Sequence, residues 1–129
     1  LAKPKKTVVS LMGDGGFGMT ISELSTAVEH KINTITIVMN NKSWGAEKAY
    51  QKDFFGKRYL GADISSPPFD KVAELYGAKG YKVKKLSEIN DTLKSALKVN
   101  KPVVIEIDVD PKALYSFRKD SFKNKLNAN

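Results

Sequence analysis

The chain contains no cysteine and a single histidine, His30. The first absence excludes a disulfide scaffold, a thiolate metal site and a thiol nucleophile. The second excludes a histidine-rich metal centre built within the chain. No apolar run approaches the roughly 20 residues needed to span a bilayer, and no segment reads as a signal peptide. A cytoplasmic protein with no membrane partner is expected. Acidic residues are in deficit. Lys and Arg number 22 against 14 Asp and Glu, a formal net charge of +8. The basic residues are scattered from Lys3 to Lys125, and no helix carries a basic stripe interleaved with aromatics. A nucleic-acid partner, whose mark would be steep salt dependence, is therefore not expected. The surplus suits a solvated surface or the attraction of small anions.

What is present is a globular composition. With 41% hydrophobic and 28% charged residues the chain can build a core and is not a disordered segment. Its 129 residues suit one domain. Thr7 to Met12, Thr34 to Met39, Tyr81 to Val83 and Pro102 to Val109 are short apolar, β-branched runs that predict strands, the first two of them buried. Between them, apolar residues recur at helical spacing. Ile21, Leu24, Val28 and Ile32 predict one helix, with Thr20 and Glu23 as its capping box. Residues 46 to 54 predict a second. Phe69, Val72, Ala73 and Tyr76 predict a third, closed by Gly77. Ile89, Leu93, Ala96 and Leu97 predict a fourth, capped by Ser87. The segment 56 to 68 reads as irregular. Strands alternating with helices define the fold class as α/β, a parallel β-sheet with helices on both faces. Residues 111 to 129 read as a polar, basic carboxyl-terminal tail.

In such sheets ligands bind beyond the carboxyl ends of the strands. Two polar loops stand there. Gly13-Asp14-Gly15-Gly16-Phe17-Gly18 follows the first strand and matches G-x-G-x-x-G. A nicotinamide dinucleotide does not suit it, because no acid ends the second strand and Asp14 would set a bare carboxylate against a pyrophosphate. At about 4 Å like charges in a partly desolvated site repel by a few kcal/mol. A divalent cation between them removes the conflict. Mg²⁺ wants oxygen ligands, and Asn40-Asn41, in the loop after the second strand, supplies an amide. The glycine loop then cradles a diphosphate, helped by the amides of the helix that follows. His30, at a helix end where the dipole favours a cation, reads as structural.

Gly-Asp-Gly followed, after a helix and a strand, by Asn-Asn resembles the signature of the thiamine diphosphate-dependent enzymes. The likeness implies the thiamine diphosphate-binding fold, with this chain as the carboxyl-terminal part of its diphosphate domain. Within that superfamily, Trp44-Gly45-Ala46-Glu47-Lys48, Gln51, Asp53-Phe54, Lys57-Arg58-Tyr59 and Ser116-Phe117-Arg118-Lys119-Asp120 look most like sulfoacetaldehyde acetyltransferases. The resemblance implies thiamine diphosphate and Mg²⁺ as cofactors. Asp14, the Asn41 side chain and the Ser43 carbonyl would hold the metal. Gly13, Gly15 and Gly16 would approach the diphosphate, and Trp44 and Gly45 would offer it backbone amides. Phe17 and Met19 would wall the site. The implied reaction turns sulfoacetaldehyde and phosphate into acetyl phosphate and sulfite. Arg58 and Arg118 are candidates for the small anionic substrates, and Glu47 and Lys48 stand where a substrate-facing helix begins. The alternatives are an acetolactate synthase or 2-oxoacid decarboxylase, or a non-catalytic cofactor-binding domain. The family is also implied to take an activating glutamate from a separate domain, usually of a partner subunit. No residue here fits that role, so a fragment of a longer homo-oligomeric enzyme is expected, inactive alone and with apolar surface left uncovered.

Overall fold

The computed structural model describes residues 6–116; Arg118 and most of the basic tail lie outside them. The elements are β1 (Val8–Gly13), α1 (Asp14–Thr20), α2 (Glu23–Glu29), β2 (Thr34–Asn40), α3 (Gly45–Phe54), α4 (Phe69–Leu75), β3 (Lys79–Val83), α5 (Ile89–Ala96) and β4 (Val103–Asp108), with a 3₁₀ turn at Leu86–Glu88. All four strands are parallel, in the order β1-β2-β4-β3. The α/β class is as expected.

The period of two along each strand sorts the core into two layers. Val38 and Val104 point to one face, where they meet Phe17 and Leu24 of α1 and α2 and Phe69 and Ala73 of α4. Ile35, Val103 and Ile105 point to the other, against Ala96 of α5 and Val83 of β3. Each such aliphatic side chain, fully buried, is worth about 1.5–3 kcal/mol. β4 sits between β2 and β3, and its Val103, Val104 and Ile105 are buried on both faces.

Four local expectations need correction. The glycine-rich stretch is not a turn before a helix; it is the helix. Gly13 is the N-cap, and α1 runs through Asp14-Gly15-Gly16-Phe17-Gly18. Each glycine costs about 1 kcal/mol against alanine in a helix. Burial of Phe17, edge-on to Phe69 at 5.2 Å between ring centroids, offsets that cost. The second correction follows from the first. The backbone is already helical at Thr20, so no capping box forms. The Thr20 hydroxyl instead donates back to the Gly16 and Phe17 carbonyls at 3.4 Å.

The third concerns Ser87, which does not cap α5. The Glu88 carboxylate accepts the backbone N–H groups of Lys84 and Lys85 at 2.9 and 3.1 Å. These two bonds hold its pKa below the ordinary value. The fourth concerns β1, which is an edge strand rather than a buried one. It pairs with β2 alone among the described residues, and α5 covers only the far side of the sheet. Val9 and Leu11, on the α5 face, are 53% and 69% exposed.

Candidate functional site

β1 and β2 are adjacent and in register from Val8↔Thr34 to Gly13↔Met39. The chain leaves both at the same end of the sheet. Asp14 therefore opens α1 beside Asn40, the last residue of β2, and the loop Asn41-Lys42-Ser43 that follows it. The two polar loops picked out in the sequence lie together.

Asp14 is 1% exposed. Among the described residues its side-chain partner is neutral: the Ser66 hydroxyl donates to Oδ2 at 2.6 Å. A buried carboxylate facing no cation is costly, and this one also stands in the first turn of a helix, where free amides gather. Ser66 belongs to the irregular segment before α4, and nothing in its sequence neighbourhood singled it out.

The loop after β2 is built from two successive side-chain turns. Asn40 Oδ1 accepts the Lys42 N–H at 3.1 Å, and Asn41 Oδ1 accepts the Ser43 N–H at 3.1 Å. Lys42 adopts φ +55°, a strained value for a residue with a Cβ. The two asparagines divide the work. Asn40 is buried and its amide N–H₂ donates to Glu106 Oε1 at 2.6 Å. Asn41 is the amide left toward the loop surface, and its oxygen keeps a second lone pair. The Ser43 hydroxyl is buried and meets no partner among the described residues.

The glycines also have separate reasons to be glycine. A Cβ on Gly15 would meet the Trp44 ring at 2.8 Å, and one on Gly45 would meet Asn41 Nδ2 at 2.8 Å. These two allow the loops to close on each other. A Cβ on Gly13 or Gly16 would meet nothing within 4 Å, so the backbone there is open to a ligand. The Trp44 N–H is already bonded to the Ala62 carbonyl at 2.8 Å. It is not a free donor for a diphosphate, whereas Gly45 stands at the first position of α3. Phe17, expected to wall the site, is instead 4% exposed and part of the core; Met19 is exposed.

One group was missed. Glu106 is 1% exposed. Besides Asn40 it accepts Lys82 Nζ at 2.7 Å and the Asp70 N–H at 3.3 Å, and Lys82 also pairs with Asp108. Burial alone would oppose ionisation of Glu106. The hydrogen bonds from Lys82, Asn40 and the Asp70 amide, with the Lys82 charge, outweigh it and hold its pKa below the usual carboxylate value. Burial likewise acts to lower the Lys82 pKa, but bonds to Asp108 and Glu106 overcome it and raise that pKa. A glutamate inside the run Val103-Val104-Ile105-Glu106-Ile107 was the available signal, since a buried charge must be paired.

α3 leads away from the loop and lines an open cavity of about 700 Å³ with Glu47, Tyr50, Gln51, Phe55, Arg58 and Leu60. Arg58 thus stands on a cavity wall, its Nε donating to the Phe55 carbonyl at 3.3 Å. Lys48 pairs with Asp63. His30 caps the carboxyl end of α2. The described residues hold no cluster of three or more His, Cys, Asp or Glu that could bind a metal, and no helix among them is long and apolar enough to cross a membrane. A cation beside Asp14 would thus take one carboxylate, with amide, carbonyl and ligand oxygens completing the shell. Mg²⁺ is commonly bound in that way together with phosphates, so the residues present fit it.

Comparison with known proteins gives the family. Residues 1–107 match the family described as thiamine pyrophosphate enzyme, C-terminal TPP binding domain, thiamine pyrophosphate being another name for thiamine diphosphate. The chain belongs to that family. Over 130 aligned residues it is 35% identical to a sulfoacetaldehyde acetyltransferase of Castellaniella defragrans, covering 98% of this chain and 22% of the relative. It is 37% identical over 112 residues to the mitochondrial acetolactate synthase catalytic subunit of Saccharomyces cerevisiae, covering 87% and 16%. Among solved structures it resembles the thiamine diphosphate-dependent 4-hydroxybenzoylformate decarboxylase of Rhodococcus jostii RHA1, with a TM-score of 0.79, 31% identity, and coverage of 84% of this chain and 21% of that one. The chain spans about a fifth of the length of the relatives it matches.

Proposed function

We propose that this chain forms the diphosphate and Mg²⁺ side of a thiamine diphosphate-dependent active site. We further propose that the intact enzyme is a sulfoacetaldehyde acetyltransferase, an acyltransferase that converts sulfoacetaldehyde and phosphate into acetyl phosphate and sulfite. The observation that carries the first part is Asp14, a buried carboxylate that meets no cation among the described residues, beside the Asn41 loop. Asp14, the Asn41 amide oxygen and the Ser43 carbonyl hold the cation. The open backbone at Gly13 and Gly16 and the start of α3 at Gly45 take the diphosphate. Gly15 serves by admitting Trp44. Thiamine diphosphate, when bound, supplies the carbanion that attacks the substrate carbonyl.

The substrate reading draws support from the match over nearly the whole chain to sulfoacetaldehyde acetyltransferases and from Arg58 on the cavity wall. Sulfoacetaldehyde, sulfite and phosphate are all anions, and a guanidinium there pairs with a sulfonate or phosphate. Arg118 is a second candidate, outside the described residues. The similar identity to acetolactate synthases supports the alternative of a 2-oxoacid substrate. The activating glutamate and the partner subunit of a homo-oligomer belong to the intact protein. The test is to supply that protein with thiamine diphosphate, Mg²⁺, phosphate and sulfoacetaldehyde. Acetyl phosphate and sulfite should rise in step. If neither product forms, and pyruvate supplied in place of sulfoacetaldehyde is consumed, the acetolactate synthase reading is favoured.

A further inference from the structure

Glu106 is an expensive residue to place where it stands. It is charged, 1% exposed, and lies on the middle of three consecutive strands. If its task were only to fill the core, an apolar side chain of similar volume would do as well or better. Its partners point elsewhere. Register sets Glu106 opposite Val38 of β2 and Lys82 of β3. From there its carboxylate reaches two residues further along β2, to Asn40 at the mouth of the cation loop, and to the Asp70 N–H at the start of α4.

The bond to Asn40 has a specific consequence. A carboxylate accepts only, so it fixes Nδ2 of Asn40 toward Glu106 and Oδ1 away from it. Oδ1 then takes the Lys42 N–H, which closes the first turn of the loop with Lys42 at φ +55°. The second turn, Asn41 Oδ1 to the Ser43 N–H, starts from that geometry. Lys82 Nζ donates to the same Glu106 Oε1 as Asn40 and compensates the charge there. We infer that Glu106 is a positioning residue for the cation loop: its bond to Asn40 aims the Asn41 amide oxygen and the Ser43 carbonyl at the cation beside Asp14. The role rests on the cation and diphosphate reading above. It differs from it in naming a residue that touches neither cation nor cofactor.

The experiment is Mn²⁺ binding to the intact protein in the presence of thiamine diphosphate, followed by the paramagnetic resonance signal of free Mn²⁺. It is run on wild type, Glu106→Gln, Asn40→Ala and the double variant, with apo-protein melting temperatures alongside. Outer-shell partners of metal ligands typically change affinity by about 10–100-fold. Glu106→Gln and Asn40→Ala should each weaken Mn²⁺ binding by about tenfold or more, and the double variant should lose no more than the worse single one. Ile105→Ala, on the opposite face of the same strand, should lower the melting temperature and leave the Mn²⁺ affinity within about twofold. If the two network variants melt earlier yet bind Mn²⁺ like wild type, Glu106 is a core ion pair only and the inference fails. Should Glu106→Gln not fold, Glu106→Asp decides instead: it keeps the charge beside Lys82 and the Asn40 Oδ1 bond to the Lys42 N–H, and shortens only the reach to Asn40. If wild type itself shows no Mn²⁺ site with thiamine diphosphate, the underlying reading fails first and this one with it.

Discussion

The Trp44 ring lies 2.8 Å from where a Cβ on Gly15 would stand. The loop after β2 is thereby pressed onto the first turn of α1. A rigid ring cannot step aside as a flexible chain end would, so Gly15→Ala must move Trp44 and the loop that carries it. Overpacking of this kind costs about 1–3 kcal/mol. A lower melting temperature and weaker thiamine diphosphate binding are expected together. Gly16→Ala separates the two effects. Its Cβ meets nothing within 4 Å, and alanine gains about 1 kcal/mol over glycine in a helix. Stability should hold or rise, while cofactor affinity, measured by calorimetry, should fall because the methyl group would stand in the proposed path of the diphosphate.

Gly80 of β3 is bound by a harder constraint. A Cβ there would fall on the Asp70 backbone carbonyl in the first turn of α4. Backbone cannot rotate away, so Gly80→Ala must push α4 off the sheet. A loss of about 3 kcal/mol or more is expected, read by urea titration as a lower midpoint with little change in slope.

The Glu106 and Lys82 pair sets a pH dependence with opposite signs at the two ends. Glu106 has its pKa lowered in the folded protein. Its contribution is complete above the unfolded carboxylate value of about 4.3 and is lost as pH falls through the folded one. Lys82 has its pKa raised. Its contribution is complete below about 10.4 and is lost as pH rises through the folded value. Glu106→Gln should therefore flatten the acid limb of apo-protein stability, and Lys82→Met the alkaline limb. Melting temperatures across pH 3 to 11 check both, and an unchanged acid limb in Glu106→Gln would count against the pairing.

Much of the fold was legible because buried parallel strands advertise themselves. Thr34 to Met39 and Val103 to Ile107 are β-branched runs bounded by polar residues, and both are strands. The start of α1 was not legible. Three glycines and an aspartate carry turn chemistry locally, and only the packing of Phe17 on Phe69, 52 residues later in the chain, makes them helical. The candidate cation ligands were legible as motif. Their support was not. Glu106 reaches Asn40 and Lys82 because β4 inserts between β2 and β3, and no local pattern reveals strand order. The exposure of Val9 and Leu11 was misread for a related reason: an apolar run fixes a strand's character without fixing its neighbours.

The most direct measurement is calorimetric titration of thiamine diphosphate into the intact protein with and without Mg²⁺, for wild type and Asp14→Asn. The asparagine keeps the shape and can still accept from Ser66, but it removes the buried charge. Without cofactor and metal, Asp14→Asn should melt at or above the wild-type temperature, because a buried carboxylate with no cation is no longer present. Wild type should bind thiamine diphosphate far more tightly with Mg²⁺ than without, and Asp14→Asn should lose that difference. If Asp14→Asn keeps the full Mg²⁺-dependent affinity, Asp14 is not the cation ligand and the site lies elsewhere.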